Sequence, residues 1–466
     1  MAPCLEDCSP EILGMVLAQL NRQDAGALRQ CSRWLASICM ENSHFKSLFD
    51  SKRVEVTERG LGDLAKFTKP GRIGILLQKL TVVGLATNVW SARLPPRLIK
   101  CRKHSTEDER KLLSEAFRTI ATHSHSGKLA SLTLKVDLIE DGEKVPDCEL
   151  RRYDFKFRWY AAARVFDLAW RALAMSALQV EGLNIFSDIE MRSGALSCEL
   201  LTELDWEDPG LLKSFASIQS ISMSLSTRLI EEYEPEEDEN EVGEHGTDRG
   251  GRDRRESPKR REVDDLRAEV ADEKNFIGLG KLLRHCQQLS DVDIHYATLC
   301  YRPREFSELV QTRLLQRTVE VNQLPILERC RLSGLYVRAD DLLTFIERIQ
   351  PCDLSLEHIS ILSGTGTFRP IFDYCQSENT RVRSVFFDWL REYRLVFFDA
   401  PGRPKHSFSR RPRGCPTLKR TGAAAKNPIV YKTPDAGRPV GTPDRDYWRQ
   451  YWRRVYGPMG SGITLE

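Results

Sequence analysis

Over the first fifty residues, apolar side chains recur at the spacing of a helix. Ser9-Pro10-Glu11 is a helix start: a Ser can accept an orphan N–H, Pro has none to leave unpaired, and Glu suits the positive end of the dipole. Ile12, Leu13, Val16, Leu17 and Leu20 then fall on one face. Asn21 to Gln23 break the pattern. Asp24 is placed to cap a second helix through Ala25, Ala27 and Leu28, and Ser32 precedes a third carrying Trp34, Leu35 and Ile38. The pattern therefore predicts three short helices over residues 4–50. A unit of under ~60 residues buries too little surface to be stable alone. It needs a surface to lie against, from the rest of the chain or from a partner.

Beyond residue 75 the period changes. An apolar-x-x-apolar-x-apolar template fits at Leu77/Leu80/Val82, Leu129/Leu132/Leu134, Val180/Leu183/Ile185 and Ile218/Ile221/Met223. It fits again at Leu289/Val292/Ile294, Leu327/Cys330/Leu332, Ile349/Cys352/Leu354 and Val382/Val385/Phe387. Chance alone gives about a dozen such hits in a chain of this length. What sets these apart is the amphipathic helix between them, as at Leu112, Leu113, Ala116, Phe117 and Ile120. Others run through Val165, Leu168, Ala169, Ala172 and Leu173, and through Leu342, Leu343, Ile346 and Ile349. Strand–helix alternation of this kind is the unit of a leucine-rich solenoid. The spacing is uneven and no Asn ladder follows the strands. The expected fold is thus mixed α/β, an irregular strand–helix solenoid behind a three-helix module, with some other α/β packing as the alternative.

Composition refines this organisation. The 466 residues are 41% hydrophobic and 29% charged, ordinary for a globular chain, and the net charge of +2 excludes a wholly basic or acidic protein. The charge is uneven, however. Residues 231–272 open acidic (EEYEPEEDENEVGE), turn basic (DRGGRDRRESPKRRE) and hold almost no apolar side chains, so a disordered insert is expected. Residues 403–454 carry fourteen Lys and Arg against Asp435, Asp444 and Asp446. The expected division is a helical module at 1–50, a repeat-like domain at 51–230 and 273–400 interrupted by the insert at 231–272, and a basic aromatic tail at 401–466. Thirteen scattered cysteines, no secretory signal and no run of 18 apolar residues point to free thiols in the cytoplasm or nucleus.

The stretch CSPEILGMVLAQLNRQDAGALRQCSRWLASI resembles an F-box, whose pattern opens Leu-Pro-x-Glu-Ile and closes near an Arg-Trp pair. Pro10, Glu11, Ile12, Leu17, Leu20, Asp24, Leu28, Arg33 and Trp34 match, while Cys8 and Ser9 stand where Leu-Pro is usual. The match covers about a tenth of the chain. Residues 341–392 and the tail segment GRPVGTPDRDYWRQYW look like the ends of fungal F-box proteins of the leucine-rich type. That resemblance implies a substrate-recognition subunit of an SCF-type cullin–RING ubiquitin ligase. Its partners would be the SCF adaptor, through it a cullin, and an unknown protein substrate. The adaptor contacts would be Pro10, Glu11, Ile12, Leu13, Val16, Leu20, Leu28 and Trp34, with Leu17 and Leu28 better placed for an internal core. The chain itself would not be an enzyme, and protein ubiquitination would be performed by its partners. An F-box scaffold outside any ligase, or a nucleic-acid-associated protein acting through the tail, are the alternatives.

No other chemistry is legible. Cys101-x-x-His104 with His123-x-His125 lacks the second CxxC of a zinc site, so no metal or other cofactor is expected. Gly364-Thr365-Gly366-Thr367 lacks the Lys-Ser/Thr of a phosphate loop and reads as a turn. Ser257-Pro258 fits a proline-directed phosphorylation site beside a basic patch, Lys259-Arg260-Arg261, although a charged linker with no signal is the favoured reading. Trp448, Tyr451 and Trp452 sit at helical spacing and are expected to cap the last repeat rather than to stack on bases.

Overall fold

The computed structural model describes residues 5–87, 105–124, 126–140, 143–144, 154–187, 195–227, 263–297, 304–399 and 415–433. The N-terminal unit holds four helices rather than three: α1 (Pro10–Leu17), α2 (Arg22–Cys31), α3 (Arg33–Glu41) and α4 (Ser43–Phe49). The fourth forms because Asn42 caps it, accepting the Phe45 N–H at 2.9 Å. Asn21, not Asp24, caps α2. Its side-chain oxygen accepts the N–H groups of Gln23 and Asp24, and Asp24 in turn accepts its amide at 2.7 Å. Ser32 caps α3 through the Leu35 N–H, as the spacing predicts.

This unit has a small core of its own, built from Leu17, Ala25, Cys39, Phe45 and Phe49. Leu20 and Leu28 pack around it, and so do Ile73 and Leu76 from the next part of the chain. The chain itself therefore supplies part of the surface that so small a unit requires. Arg22 adds a guanidinium 5.1 Å above the Phe49 ring.

From Ser51 onward the fold is mixed α/β, dominated by one large and mostly parallel sheet. Its ten principal strands are β1 (Ser51–Glu55), β2 (Lys79–Thr87), β3 (Lys128–Glu140), β4 (Gln179–Ile185), β5 (Ser220–Ser226), β6 (Asp291–Ala297), β7 (Arg329–Ser333), β8 (Asp353–Glu357), β9 (Ser384–Asp388) and β10 (Thr417–Thr421). They lie side by side in chain order, nine parallel and the tenth antiparallel. Parallel neighbours need a crossover, and helices provide it: α5 (Glu58–Thr68), α6 (Glu107–His123), α7 (Asp154–Ser176), α9 (Pro209–Phe215), α12 (Arg304–Val319), α13 (Ala339–Ile349) and α14 (Arg369–Gln376). Shorter helices α8 (Cys198–Thr202), α10 (Val263–Val270) and α11 (Gly278–His285) fill the remaining connections. Chemistry at the helix starts is explicit, as in the capping box of Thr106 and Glu109 on α6.

The strand register explains the apolar template. Leu80, Leu132, Leu183, Ile221, Val292, Cys330, Leu354 and Val385 form one row across the sheet. Val82, Leu134, Ile185, Met223, Ile294, Leu332, Leu356 and Phe387 form the next. Both rows are buried, in one continuous core with the apolar faces of the helices. Two expectations need correction. The hit at Ile349/Cys352/Leu354 is two residues out of register, because Leu354 pairs with Cys330 and Leu356 with Leu332. The first position of that repeat is Pro351, buried but overlooked in an aliphatic pattern. Strand β1 was hidden because Lys52 stands opposite Leu80. Its ammonium lies 4.6 Å from the Phe67 ring centroid, so the lysine stem packs where an aliphatic side chain stands elsewhere.

The last three parallel strands end alike. Gly334, His358 and Trp389 follow residues paired with one another, and all three have positive φ, of 75°, 55° and 53°. The N–H groups of Gly334 and His358 reach the next strand, at Glu357 (3.0 Å) and Asp388 (2.8 Å), and that of Trp389 reaches Pro416, just before β10, at 3.2 Å. A second left-handed position, Gln350 at φ 42°, closes α13. An L side chain pays about 1 kcal/mol for that conformation. We expect Gln350→Gly to raise stability by about 0.5–1 kcal/mol, seen as a higher urea midpoint.

Two segment boundaries also differ from expectation. The final residues of the 231–272 segment are ordered: α10 spans Val263–Val270 and Val270 is fully buried. Val263, Leu266 and Val270 lie at helical spacing, a signal masked by the charges around them; residues 231–262 lie outside the described residues. The basic 401–466 segment contains β10, which pairs antiparallel with β9 and buries Leu418, Ala425 and Ile429. Lys426 locks this segment to the end of α14, donating to the carbonyls of Cys375, Ser377 and Thr380 at 2.7–3.3 Å. Trp448, Tyr451 and Trp452, the expected cap, lie outside the described residues.

Candidate interaction surfaces

Two surfaces stand out. The first is on the N-terminal helical unit, where Leu5, Ile12, Met15 and Trp34 are 45, 52, 72 and 38% exposed. Only five other large apolar side chains in the described residues are as open, and those are spread over the rest of the chain. Ile12 and Met15 are one turn apart on α1, so they share a face. Pro10 and Glu11 are exposed beside them, and the Ser9 hydroxyl holds the Glu11 carboxyl below its usual range.

The expected contact residues divide into groups. Pro10, Glu11, Ile12 and Trp34 are open to a partner, Val16 is half-buried, and Leu20 and Leu28 are half-buried against the small core. Leu13 is a correction: it is 0% exposed, turned about 100° around α1 from Ile12, and cannot touch a partner. Leu17 is internal, as anticipated. Met15 and Leu5 were missed, although the Ile12–Met15 spacing was visible in the sequence.

The second surface is the face of the sheet opposite the helices, open among the described residues. Residues between the buried rows point away from the helices, and over β3 to β9 they line a cavity of about 600 Å³. On β3, β4 and β5 its floor is Ser131, Thr133, Gly182, Asn184, Ser220 and Ser222. On β6 to β8 it carries Asp291, Asp293, Arg329, Arg331 and Asp353. These charges are interlaced. Arg329 donates to Asp291, and Arg331 lies 2.8 Å from Glu357 and 3.8 Å from Asp293. The Arg329 hydrogen bond holds the Asp291 carboxyl below its usual range.

That shift fixes a pH dependence. A carboxylate with a depressed folded pKa stabilises the fold above its unfolded pKa of about 3.9, and the benefit is lost as pH falls through the folded value. The stability difference between wild type and Asp291→Asn should therefore be flat from pH 5 to 8 and shrink below about pH 4. Urea melts across that range measure it.

A buried polar row continues beyond the charged one. Ser224 and His295, on adjacent strands, are 2.8 Å apart and nearly inaccessible. Burial also raises the thiol pKa values of Cys198, Cys286 and Cys330, and pushes Cys375 up to about 12. Such thiols are inert packing groups. All nine described cysteines are free.

Among the described residues, no group of three or more His, Cys, Asp or Glu is placed to hold a metal ion. His123 is exposed, while Cys101, His104 and His125 lie outside the described residues, as do Ser257 and its basic neighbours. The Gly364–Thr367 segment is a turn, with Gly364 at φ 80° and the Thr365 N–H on the Leu362 carbonyl. No helix among the described residues is long and apolar enough to cross a membrane. No protein-family model matches the chain, and no curated protein matches it.

Proposed function

We propose that this chain is a substrate receptor of an SCF-type ubiquitin ligase, its N-terminal helices docking on the adaptor and its open sheet face holding the substrate. The observation that carries the reading is the exposure of Ile12 and Met15 on one face of α1, and of Trp34 on α3, in a unit that has its own core. Apolar side chains left open on so small a unit favour a partner with an apolar groove. They also fall within the segment that resembles an F-box. A second support is the strand order. Strands that follow chain order across one parallel sheet, each joined to the next through a helix, are what a leucine-rich array requires. In that reading the sheet is the receptor surface, and transfer of ubiquitin belongs to the assembled partners.

The test is reconstitution. Full-length chain immobilised on beads should retain purified adaptor, and should retain a purified cullin only when the adaptor is present. Retention of neither would remove the ligase reading and favour a scaffold outside it.

A further inference from the structure

We propose that the trough across the open sheet face takes an extended peptide segment about nine residues long, with large neutral side chains at one end and Lys or Arg at the other. This deepens the receptor reading and rests on it for the identity of the surface. The length follows from the lining, which runs from Ser131 on β3 to Ser384 on β9. Seven strands make six steps of about 4.8 Å, or about 29 Å. An extended chain covers that in about nine residues at ~3.3 Å each.

The two halves of the trough differ in depth. Over β3 to β5 no floor residue is larger than Thr133 or Asn184, and Gly182 has no side chain at all. A Cβ there would be crowded, 3.1 Å from the Ala130 carbonyl and from the Ser220 hydroxyl, which keeps this position without a side chain. That half can receive bulky side chains, with hydroxyls at hand for the peptide backbone. Over β6 to β8 longer charged side chains raise the floor, and carboxylates outnumber guanidiniums: Asp291, Asp293 and Asp353 against Arg329 and Arg331. Both guanidiniums are already engaged by acids. Asp353 is exposed and interacts electrostatically with Arg329, which is already hydrogen-bonded to Asp291. An incoming cation is therefore attracted to this half. Lys419, level with Phe386 on β10, stands beyond it and confines that cation to β6–β8.

A phage library of random nonapeptides panned on the purified full-length chain tests this. The expected enrichment has Lys or Arg near one end and Phe, Leu, Tyr, Trp or Met near the other. A synthesised, fluorescein-labelled winner should bind Ser220→Trp and Asp353→Lys at least tenfold more weakly, with melting temperatures unchanged. Thr133→Trp serves as a second block of the deep half, should Ser220→Trp fail to fold. Acidic winners, no enrichment over the input library, or binding unaffected by these substitutions would overturn the proposal. Adaptor binding, measured on the same preparation, separates the two ideas. Adaptor binding without peptide enrichment removes only the trough, and the reverse removes only the ligase assignment.

Discussion

A chain ending at residue 399 should unfold far more easily than one ending at residue 433, and should aggregate as it does so. The 415–433 segment closes the sheet. Without it, β9 presents an unpaired edge, and exposed strand edges template association. The apolar end of the array is uncovered as well. Tyr431 packs edge-on against Phe372 with centroids 5.1 Å apart, Phe398 lies 5.7 Å from the same ring, and Leu418 and Ile429 are buried beside them. Each large side chain contributes about 1.5–3 kcal/mol, so losing Leu418, Ile429 and Tyr431 removes on the order of 5 kcal/mol. That is a large share of a typical domain's stability. Urea melts and light scattering on the two truncations measure it. Equal stability of the two would mean that the segment is not a cap.

Ile12→Asp combined with Met15→Asp should leave the melting temperature within a degree or two of wild type and still abolish adaptor binding. Both side chains are more than half exposed, so a charge there costs the fold little. At an interface the same charges would be buried unpaired. Two anchors worth about 2 kcal/mol each imply a loss of a hundredfold or more. Leu13→Asp is the contrast. That residue is fully buried, so its substitution should melt the helical unit and lose binding through unfolding. A stable double variant that still binds would place the adaptor elsewhere.

Much of the fold was legible because two periods carry it. The buried rows of the sheet are the apolar template, and the helix faces at α6, α7 and α13 are the predicted ones. What escaped did so for local reasons. Lys52 hid a strand by standing opposite Leu80, with its ammonium over the Phe67 ring. Pro351 shifted a repeat by two residues, since an apolar count omits proline. The cap at 415–433 was lost in a basic context, its few buried residues spaced among lysines and arginines. The interaction surfaces were harder to read. Periodicity groups Ile12 with Leu13 and cannot say which faces outward; only the folded unit, with Leu13 fully buried and Ile12 half open, decides that. The trough comes from what stands between the apolar positions, and serine, threonine and glycine there read as filler until the strands are aligned.

The most direct measurement is a calorimetric titration of purified full-length chain with purified SCF adaptor. The account predicts a one-to-one complex with a sub-micromolar Kd, a negative heat-capacity change from apolar burial, and no heat with the Ile12→Asp, Met15→Asp variant. An absence of binding by the folded wild-type chain would contradict it.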